Sequence, residues 1–247
     1  MLTVYDEPFP PTLDTAVSHA LLRLVAAGEL GESLRLYRPE PIVAFGKRDA
    51  LSAGFAAAVN SASRAGYSSV MRMAGGRAAV FHEDTIAFAW TIPSPAPRDD
   101  ITQRFERLSE LLAGTLRDLG ADARIGEVPG EYCPGEFSIN IGGSTKVMGV
   151  GQRLIAGAAH VGGVIVVDGG RRIAEVLIPV YADLGLEWEP ATSGDLASAV
   201  PGISWNVVRD SVLHSFEQIS DLEPGVIPEA VLERAVELEP QHRADRY

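Results

Sequence analysis

The chain contains one cysteine, and the residues around it favour a chemical role. Cys133 lies in the segment Glu131–Glu136 (EYCPGE), which is polar and rich in turn-forming residues. A lone cysteine is most often a small buried hydrophobe, but a thiol on an accessible loop can ionise and attack a carbonyl carbon. The loop therefore offers covalent acyl-transfer chemistry, and a single cysteine cannot form an internal disulfide.

Lysine is nearly absent from the sequence. Of the 21 lysines and arginines, only Lys47 and Lys146 are lysines. A lysine kept in so arginine-rich a chain indicates a position that needs a compact point charge. For Lys47 chance explains the residue equally well, whereas Lys146 opens a segment with further signals, Lys146–Arg153 (KVMGVGQR).

Glycines mark two places where a ligand can approach the backbone. The segment Arg72–Arg77 (RMAGGR) places a glycine pair between two predicted strands, and its flanking arginines can bind an anion. On spacing alone, a tight hairpin with solvated arginines explains this segment somewhat better. Gly149 and Gly151 share one face of a predicted strand, and strict alternation puts Val147 on that same face. Lys146 then faces away from the glycines, unless it escapes the alternation at the strand end.

The sequence lacks the motifs of several common kinds of catalytic and binding site. The phosphate-loop pattern GxxxxGK[ST], a GxGxxG opening a helix, the GxSxG elbow, CxxC and HExxH are all absent. The five histidines are scattered along the chain, so we expect no metal site. They are His19, His82, His160, His214 and His242.

Composition excludes further classes of partner. The formal net charge of −12 and the pI of about 4.9 argue against a nucleic-acid partner, because phosphate backbones are repelled. No apolar stretch is long enough to span a membrane, and the N-terminus does not resemble a signal peptide. We expect a cytoplasmic globular protein, which 46% apolar and 22% charged residues also indicate.

Hydrophobic periodicity predicts strands in the middle of the chain and helices around them. This order favours an α+β fold with mixed or antiparallel β-sheets flanked by helices, in a single catalytic domain over residues 1–247. The last twenty or so residues are charged, and we expect them to pack loosely. The predicted helices are Thr12–Ala27, Ala50–Ala65, Ile101–Leu119, Arg172–Leu184, Gly194–Ala199 and Asn206–Ile219. The predicted strands are Ser33–Tyr37, Ile42–Phe45, Ser69–Met73, Ala78–Phe81, Thr85–Ile92, Phe137–Ile141, Lys146–Leu154 and His160–Val167, with a tight turn at Gly142–Ser144.

Three segments in this order resemble the superfamily of lipoate–protein ligases, octanoyltransferases and biotin–protein ligases. They are Arg72–Ala79 (RMAGGRAA), Lys146–Arg153 (KVMGVGQR) and His160–Val167 (HVGGVIVV). The family pattern runs R-x-S-G-G-x-A-V, then K-[IVF]-x-G-x-[AS]-Q-R, then a strand that lines the acyl site. The resemblance covers roughly Leu34 to Trp188 and implies the biotin/lipoate protein ligase catalytic-domain fold.

The cysteine loop resembles one branch of this superfamily, the octanoyl-[glycine cleavage H protein]:protein N-octanoyltransferases, in which a Y-C-P-G loop precedes the lysine motif. The resemblance implies that Cys133 carries the acyl group as a thioester and that Lys146 stabilises the oxyanion. It also implies a set of substrate-binding residues: Arg72, Gly75, Gly76, Arg77, His82, Gly149, Gly151, Gln152 and His160.

The same resemblance implies the partners of the reaction. These are lipoyl-domain proteins, namely glycine cleavage H protein and the E2 subunits of 2-oxoacid dehydrogenases, together with an octanoyl or lipoyl group. No cofactor is required for amide-to-amide exchange. Ala74 and Ala89 replace residues that are often serine in the family, and His82 stands where aspartate is common, so the choice between octanoyl and lipoyl stays open.

Three alternatives remain at this point. An ATP-dependent lipoate–protein ligase would form a lipoyl-adenylate with ATP and Mg, and Cys133 would be incidental; Arg77 argues against it, because ligases usually have a third glycine there. A non-catalytic acyl-binding module would keep only the fold. A biotin ligase is disfavoured because the G-R-G-R-x-G-R loop is absent.

Overall fold

Two β-sheets of unequal size organise the chain in the computed structural model, which describes residues 1–247. The strands are β1 (Leu2–Tyr5), β2 (Ser33–Tyr37), β3 (Ile42–Phe45), β4 (Ser68–Met71), β5 (Ala79–Phe81), β6 (Thr85–Ser94), β7 (Ala123–Ile125), β8 (Ile139–Ile141), β9 (Thr145–Ile155), β10 (Gly157–Val166) and β11 (Leu222–Pro224). The helices are α1 (Pro11–Ala26), α2 (Phe55–Arg64), α3 (Ile101–Asp118), α4 (Gly170–Leu184), α5 (Leu196–Ala199), α6 (Trp205–Glu217) and α7 (Glu229–Leu238). The predicted α+β class is confirmed.

The larger sheet has the strand order β11-β1-β2-β6-β10-β9-β8-β7, and the smaller one β4-β3-β5. In the larger sheet β1 pairs in parallel with β11 and with β2, and every other neighbouring pair is antiparallel. The small sheet is also mixed, because β3 is parallel to β4 and antiparallel to β5. Two adjacent strands of the large sheet, β9 and β10, form the antiparallel hairpin that carries the lysine motif.

Helices cover the sheets through apolar stripes at helical spacing. On α3 the residues Leu108, Leu112 and Leu116 recur every fourth position and are buried against the large sheet. The small sheet packs instead on α2 and α4 in a second core. None of the helices is both long enough and apolar enough to cross a bilayer.

The prediction of a loosely packed C-terminal segment is wrong. Helix α7 packs along α1, and Val231, Ala235 and Leu238 are buried in the interface. The apolar residues of α7 follow helical spacing between charged residues, so a short amphipathic stripe was hidden by the high charge. Beyond α7, His242 is buried, and its Nδ1 lies 2.8 Å from the carbonyl oxygen of Met71.

A β-bulge near the start of β9 corrects the predicted alternation. Ile139 pairs with Met148 and Asn140 with Lys146, so Val147 is an extra residue on β9. Val147 and Met148 are both buried in the main core, and Lys146 turns to the same face as Gly149. Lys146 therefore does escape the alternation, but through a bulge and not because it ends the strand.

Candidate active site

A cavity of about 370 Å³ opens beside Cys133. Its walls come from the start of α3, the loop between β7 and β8, the β4–β5 loop with β5, and the hairpin β9–β10. The lining residues are Arg72, Gly75, Gly76, Ala79, Phe81, Ile101, Phe105, Tyr132, Cys133, Pro134, Lys146, Gly149, Val150, Gly151, Gln152, Leu154, Gly163 and Val164. All the residues predicted for the site are among them except Arg77, His82 and His160.

Cys133 is held in an unusual backbone conformation. It is the only non-glycine residue with positive φ, at +43°, in the left-handed region that L-residues enter at an energetic cost. Its backbone N–H donates to the hydroxyl of Tyr181 (2.9 Å), which donates in turn to the carbonyl of Ala78 (3.0 Å). Burial raises the pKa of Tyr181, so the hydroxyl keeps the proton that this relay needs.

Two donors face the sulfur. The backbone N–H of Arg77 donates to Cys133 Sγ at 3.2 Å, and Arg72 Nη1 donates to it at 3.6 Å. Both donors are placed to stabilise negative charge that develops at the reacting atoms beside the sulfur. The close approach requires glycine at position 76, where φ is +111° and a Cβ atom would lie 2.8 Å from Sγ.

Lys146 lies behind the cysteine and is almost completely buried. Its ammonium donates to three acceptors: the carboxylate of Glu131 (2.9 Å), the carbonyl of Tyr132 (3.1 Å) and the carbonyl of Cys133 (2.7 Å). Three N–H groups thus meet three acceptors, and the lysine holds the backbone of the cysteine loop directly.

Glu131 is the principal site residue that sequence reasoning missed. Its buried carboxylate also accepts from the N–H of Val128 (3.0 Å), the N–H of Gly135 (3.1 Å) and the hydroxyl of Ser138 (3.1 Å). The signal that could have found it is its position two residues before Cys133. A buried lysine requires a nearby carboxylate, and this loop supplies one.

The glycine face of β9 makes room for the β4–β5 loop. A Cβ atom at Gly151 would lie 3.0 Å from the Cβ of Ala74 and 3.1 Å from Arg72 Nη2. Even an alanine at this position would therefore require Ala74 and the arginine that faces the sulfur to shift by a few tenths of an ångström. The other predicted strand glycine, Gly149, lies under the Lys146 side chain.

Gln152 lies at the edge of the cavity, and both ends of its side-chain amide form hydrogen bonds. Its Nε2 donates to the carbonyl of Ile101 (2.8 Å), and its Oε1 accepts from Arg104 Nε (3.1 Å). Both partners belong to α3, so the amide fastens the first turns of this helix to β9 at the edge of the cavity.

Arg77 contributes its backbone to the cavity and turns its guanidinium away. The side chain pairs with the buried carboxylate of Asp49 at 3.2 Å, and Asp49 also accepts from the N–H of Gly46 at 2.8 Å. This ion pair joins the β3–α2 loop to the β4–β5 loop. The segment Arg72–Arg77 is therefore anchored from both sides next to the sulfur.

Two predicted histidines lie outside this cavity. His82 is fully buried, accepts from the N–H of Asp84 and packs beside Gly169. His160 lines a second, smaller cavity of about 90 Å³, and its Nδ1 has no hydrogen-bond partner. Arg72, Phe81 and Gly163 line both cavities.

No group of three or more histidine, cysteine, aspartate or glutamate side chains is placed to hold a metal ion. The sulfur's hydrogen-bond partners are a backbone amide and a guanidinium, with no imidazole or carboxylate among them. The arrangement is suited to stabilising negative charge beside an apolar cavity, as formation and breakdown of an acyl-thioester require.

Residues 10–217 match the family of lipoyl protein ligase A/B catalytic domains, and the chain belongs to this family. Two relatives are the octanoyl-[GcvH]:protein N-octanoyltransferases of Geobacillus kaustophilus and Anoxybacillus flavithermus, each 30% identical, over 185 and 154 residues respectively. The aligned parts cover 73% and 62% of this chain, and 65% and 55% of those relatives. The chain thus matches less than two thirds of the length of either.

Solved structures share the fold. Lipoate-protein ligase A bound with ATP superposes with a TM-score of 0.77 at 22% identity, over 97% of this chain and 94% of that one. A putative lipoate protein ligase from T. acidophilum with bound lipoic acid gives a TM-score of 0.75 at 21% identity, with the same coverage. These likenesses confirm the ligase-type catalytic-domain fold that the sequence motifs implied.

Proposed function

We propose that the chain is an acyltransferase that moves an octanoyl or lipoyl group, through a thioester on Cys133, onto a lysine of a lipoyl-domain protein. One observation carries the proposal. The single thiol of the chain faces two donors at the wall of an apolar cavity, on a loop whose backbone is fixed in a strained conformation. Strain of this kind persists where the surroundings over-determine it, as at catalytic sites.

The reaction divides into two steps that balance without a further reactant. Cys133 Sγ attacks the carbonyl carbon of an acyl-lysine amide, the C–N bond breaks, and the thiol proton leaves with the donor amine. The acceptor amine then attacks the thioester, the C–S bond breaks, and the proton returns to sulfur. One amide is exchanged for another, so no ATP is needed.

The oxyanion formed in each step needs donors close to the sulfur. The Arg77 N–H and the Arg72 guanidinium already point there, and losing one such donor typically costs on the order of 10²-fold in rate. Lys146 could contribute only by exchanging one of its three present acceptors. In the free protein the lysine therefore positions the loop.

The acyl chain fits the apolar part of the cavity. Phe81, Phe105, Leu154 and Val164 supply apolar walls, and the strand glycines leave the space between them open. Burying about six methylenes at roughly 0.8 kcal/mol each offers about 5 kcal/mol of gross binding free energy.

The named relatives support the choice of carrier. Their names specify an octanoyl group carried by GcvH, and one structural neighbour was determined as part of a system with an E2 lipoyl domain. We therefore propose glycine cleavage H protein and the E2 lipoyl domains as donor and acceptor, with no cofactor.

Intact mass spectrometry of the protein after incubation with octanoylated GcvH tests the proposal. We expect the mass to rise by one octanoyl group, hydroxylamine to remove it, and Cys133→Ala to stay unmodified. Because the chain has no other thiol, any thioester must lie at Cys133. Octanoyl transfer to a lipoyl domain should disappear in the same variant.

The ATP-dependent ligase is the competing outcome. It requires product to form from free octanoate or lipoate with ATP and Mg, and Cys133→Ala to keep full activity. That result would overturn the transferase proposal.

A further inference from the structure

The backbone of Cys133 is held by the Lys146 ammonium, which makes no hydrogen bond to the sulfur. Cys133 has positive φ, and a side chain holds its backbone on each side. Its N–H donates to the hydroxyl of Tyr181, and its carbonyl accepts from the Lys146 ammonium. The carbonyl contact, at 2.7 Å, is the shortest of the three that Lys146 makes.

The position of Lys146 depends in turn on Glu131. The two side chains form an ion pair of 2.9 Å with almost no exposure of either. The other acceptors of the ammonium are neutral carbonyls, so the carboxylate is its only counter-ion. A buried ammonium without a counter-ion is strongly disfavoured and would leave its pocket or lose its proton.

Glu131 itself is fixed by the loop that it organises. Val128 and Gly135 donate backbone N–H groups to the carboxylate, and Ser138 donates a hydroxyl. These donors lie on both sides of Cys133 in the sequence. The carboxylate therefore links the two sides of the cysteine loop and also binds the ammonium.

We propose that Glu131 is a positioning residue for acyl transfer: its carboxylate holds the Lys146 ammonium against the Cys133 carbonyl, and so keeps the sulfur turned into the cavity. The inference rests on the proposed function, because a positioning role requires that Cys133 accepts the acyl group. On this view Lys146 and Glu131 form one unit, and the lysine acts on the cysteine chiefly through the loop backbone.

The experiment compares Glu131→Gln with Glu136→Gln, the same substitution at an exposed carboxylate in the same loop. Single-turnover acylation by octanoylated GcvH gives a limiting rate and a half-saturating concentration for each protein. We expect Glu131→Gln to lower the limiting rate about 100-fold with little change in half-saturation, because the cavity walls are untouched. Glu136→Gln should match the wild-type protein.

A double-mutant cycle distinguishes a shared role of Glu131 and Lys146 from two independent roles. We expect Lys146→Met to lose about as much limiting rate as Glu131→Gln, and the double variant to lose no more than the worse single variant. Losses that multiply would mean that Lys146 acts on the substrate independently of Glu131, and would overturn the proposal. A wild-type rate in Glu131→Gln would do the same.

Two further measurements protect the test. Ser138→Ala removes one donor to the carboxylate and should give an intermediate loss in a folded protein, which covers the case that Glu131→Gln does not fold. Alkylation of Cys133 by iodoacetamide should slow in Glu131→Gln whether or not the acyl donor has been chosen correctly. Unchanged alkylation in a folded Glu131→Gln protein contradicts the positioning role, whereas a wild-type protein that takes no octanoyl group contradicts only the proposed function.

Discussion

The two ends of the cavity beside Cys133 are built in different ways. Around Cys133 nearly every polar group has a partner, and the backbone is held by side chains from the cysteine loop, β9 and α4. Around Phe81 and Gly163, where the second cavity adjoins, the walls are largely apolar, and the buried His160 leaves Nδ1 unpaired. Hydrogen bonds thus fix the reacting end, whereas the other end is shaped mainly by packing. Substitutions should therefore change the rate at the first end and the choice of acyl chain at the second.

Tyr181→Phe tests the reacting end and should have a larger effect than changes at Phe81 or His160. The variant leaves the N–H of Cys133 without an acceptor, and an unsatisfied buried donor costs about 1–3 kcal/mol. We expect acylation of the cysteine to slow about tenfold or more and the thermal midpoint to fall. Tyr247→Phe, at an exposed hydroxyl, is the control. Equal acylation rates in the two variants would show that the backbone of Cys133 does not need this support.

Phe81→Ala tests the other end. The ring of Phe81 lines both cavities, so its removal should join them and admit a longer acyl chain. Each added methylene that is buried contributes roughly 0.8 kcal/mol, which is about fourfold in relative kcat/KM. The measurement is competition between octanoyl and decanoyl donors. Phe105→Ala removes the same volume at a residue that lines only the first cavity, and should not favour the longer chain.

His160, which lines the second cavity, should give the smallest effect of the three residues. Burial lowers the pKa of His160 to about 3, well below its value in the unfolded chain. Above pH 6.5 the ring is neutral in both states; as the pH falls below 6.5 the unfolded chain takes up a proton that the folded protein refuses, so stability is lost. The loss should approach about 1.4 kcal/mol per pH unit until the folded pKa is reached.

Urea unfolding at about pH 7, 6 and 5 measures this slope. We expect His160→Gln to flatten it. His19, whose pKa burial lowers to about 4, gives the remaining slope the same sign. Identical slopes in the wild-type protein and His160→Gln would show that His160 binds a proton equally well in the folded and unfolded states.

The sequence predicted which residues meet at the site better than it predicted their hydrogen bonds. The segment order placed Cys133, Lys146 and the glycines of β9 at one cavity, because hairpin strands and their loops are local in the chain. The Glu131–Lys146 pair was missed because a loop has no repeating hydrophobic pattern. The sequence therefore did not indicate that the side chain of Glu131 is buried. His82 lies outside the cavity because the chain turns directly after β5, where the N–H of His82 donates to Thr85 and its ring accepts from the N–H of Asp84.

The helix on the C-terminal segment was missed for another reason. Val231, Ala235 and Leu238 form a stripe only three residues long, and the charges between them favoured a loose tail. The segment is ordered because its apolar residues pack on the apolar face of α1. That packing is a tertiary contact and is not visible in the segment itself.

The extra residue on β9 determines which changes of length this strand can absorb. Deleting Val147 would restore even pairing with β8 and would leave Lys146 on the cavity face, at the expense of one buried side chain. Deleting a residue on the regular part of the strand beyond Met148 has the opposite effect, because every side chain on one side of the gap then changes face. A relative that lacks the residue equivalent to Val147 can therefore keep the ammonium beside its cysteine, whereas a gap two or three residues later cannot be accommodated in this way.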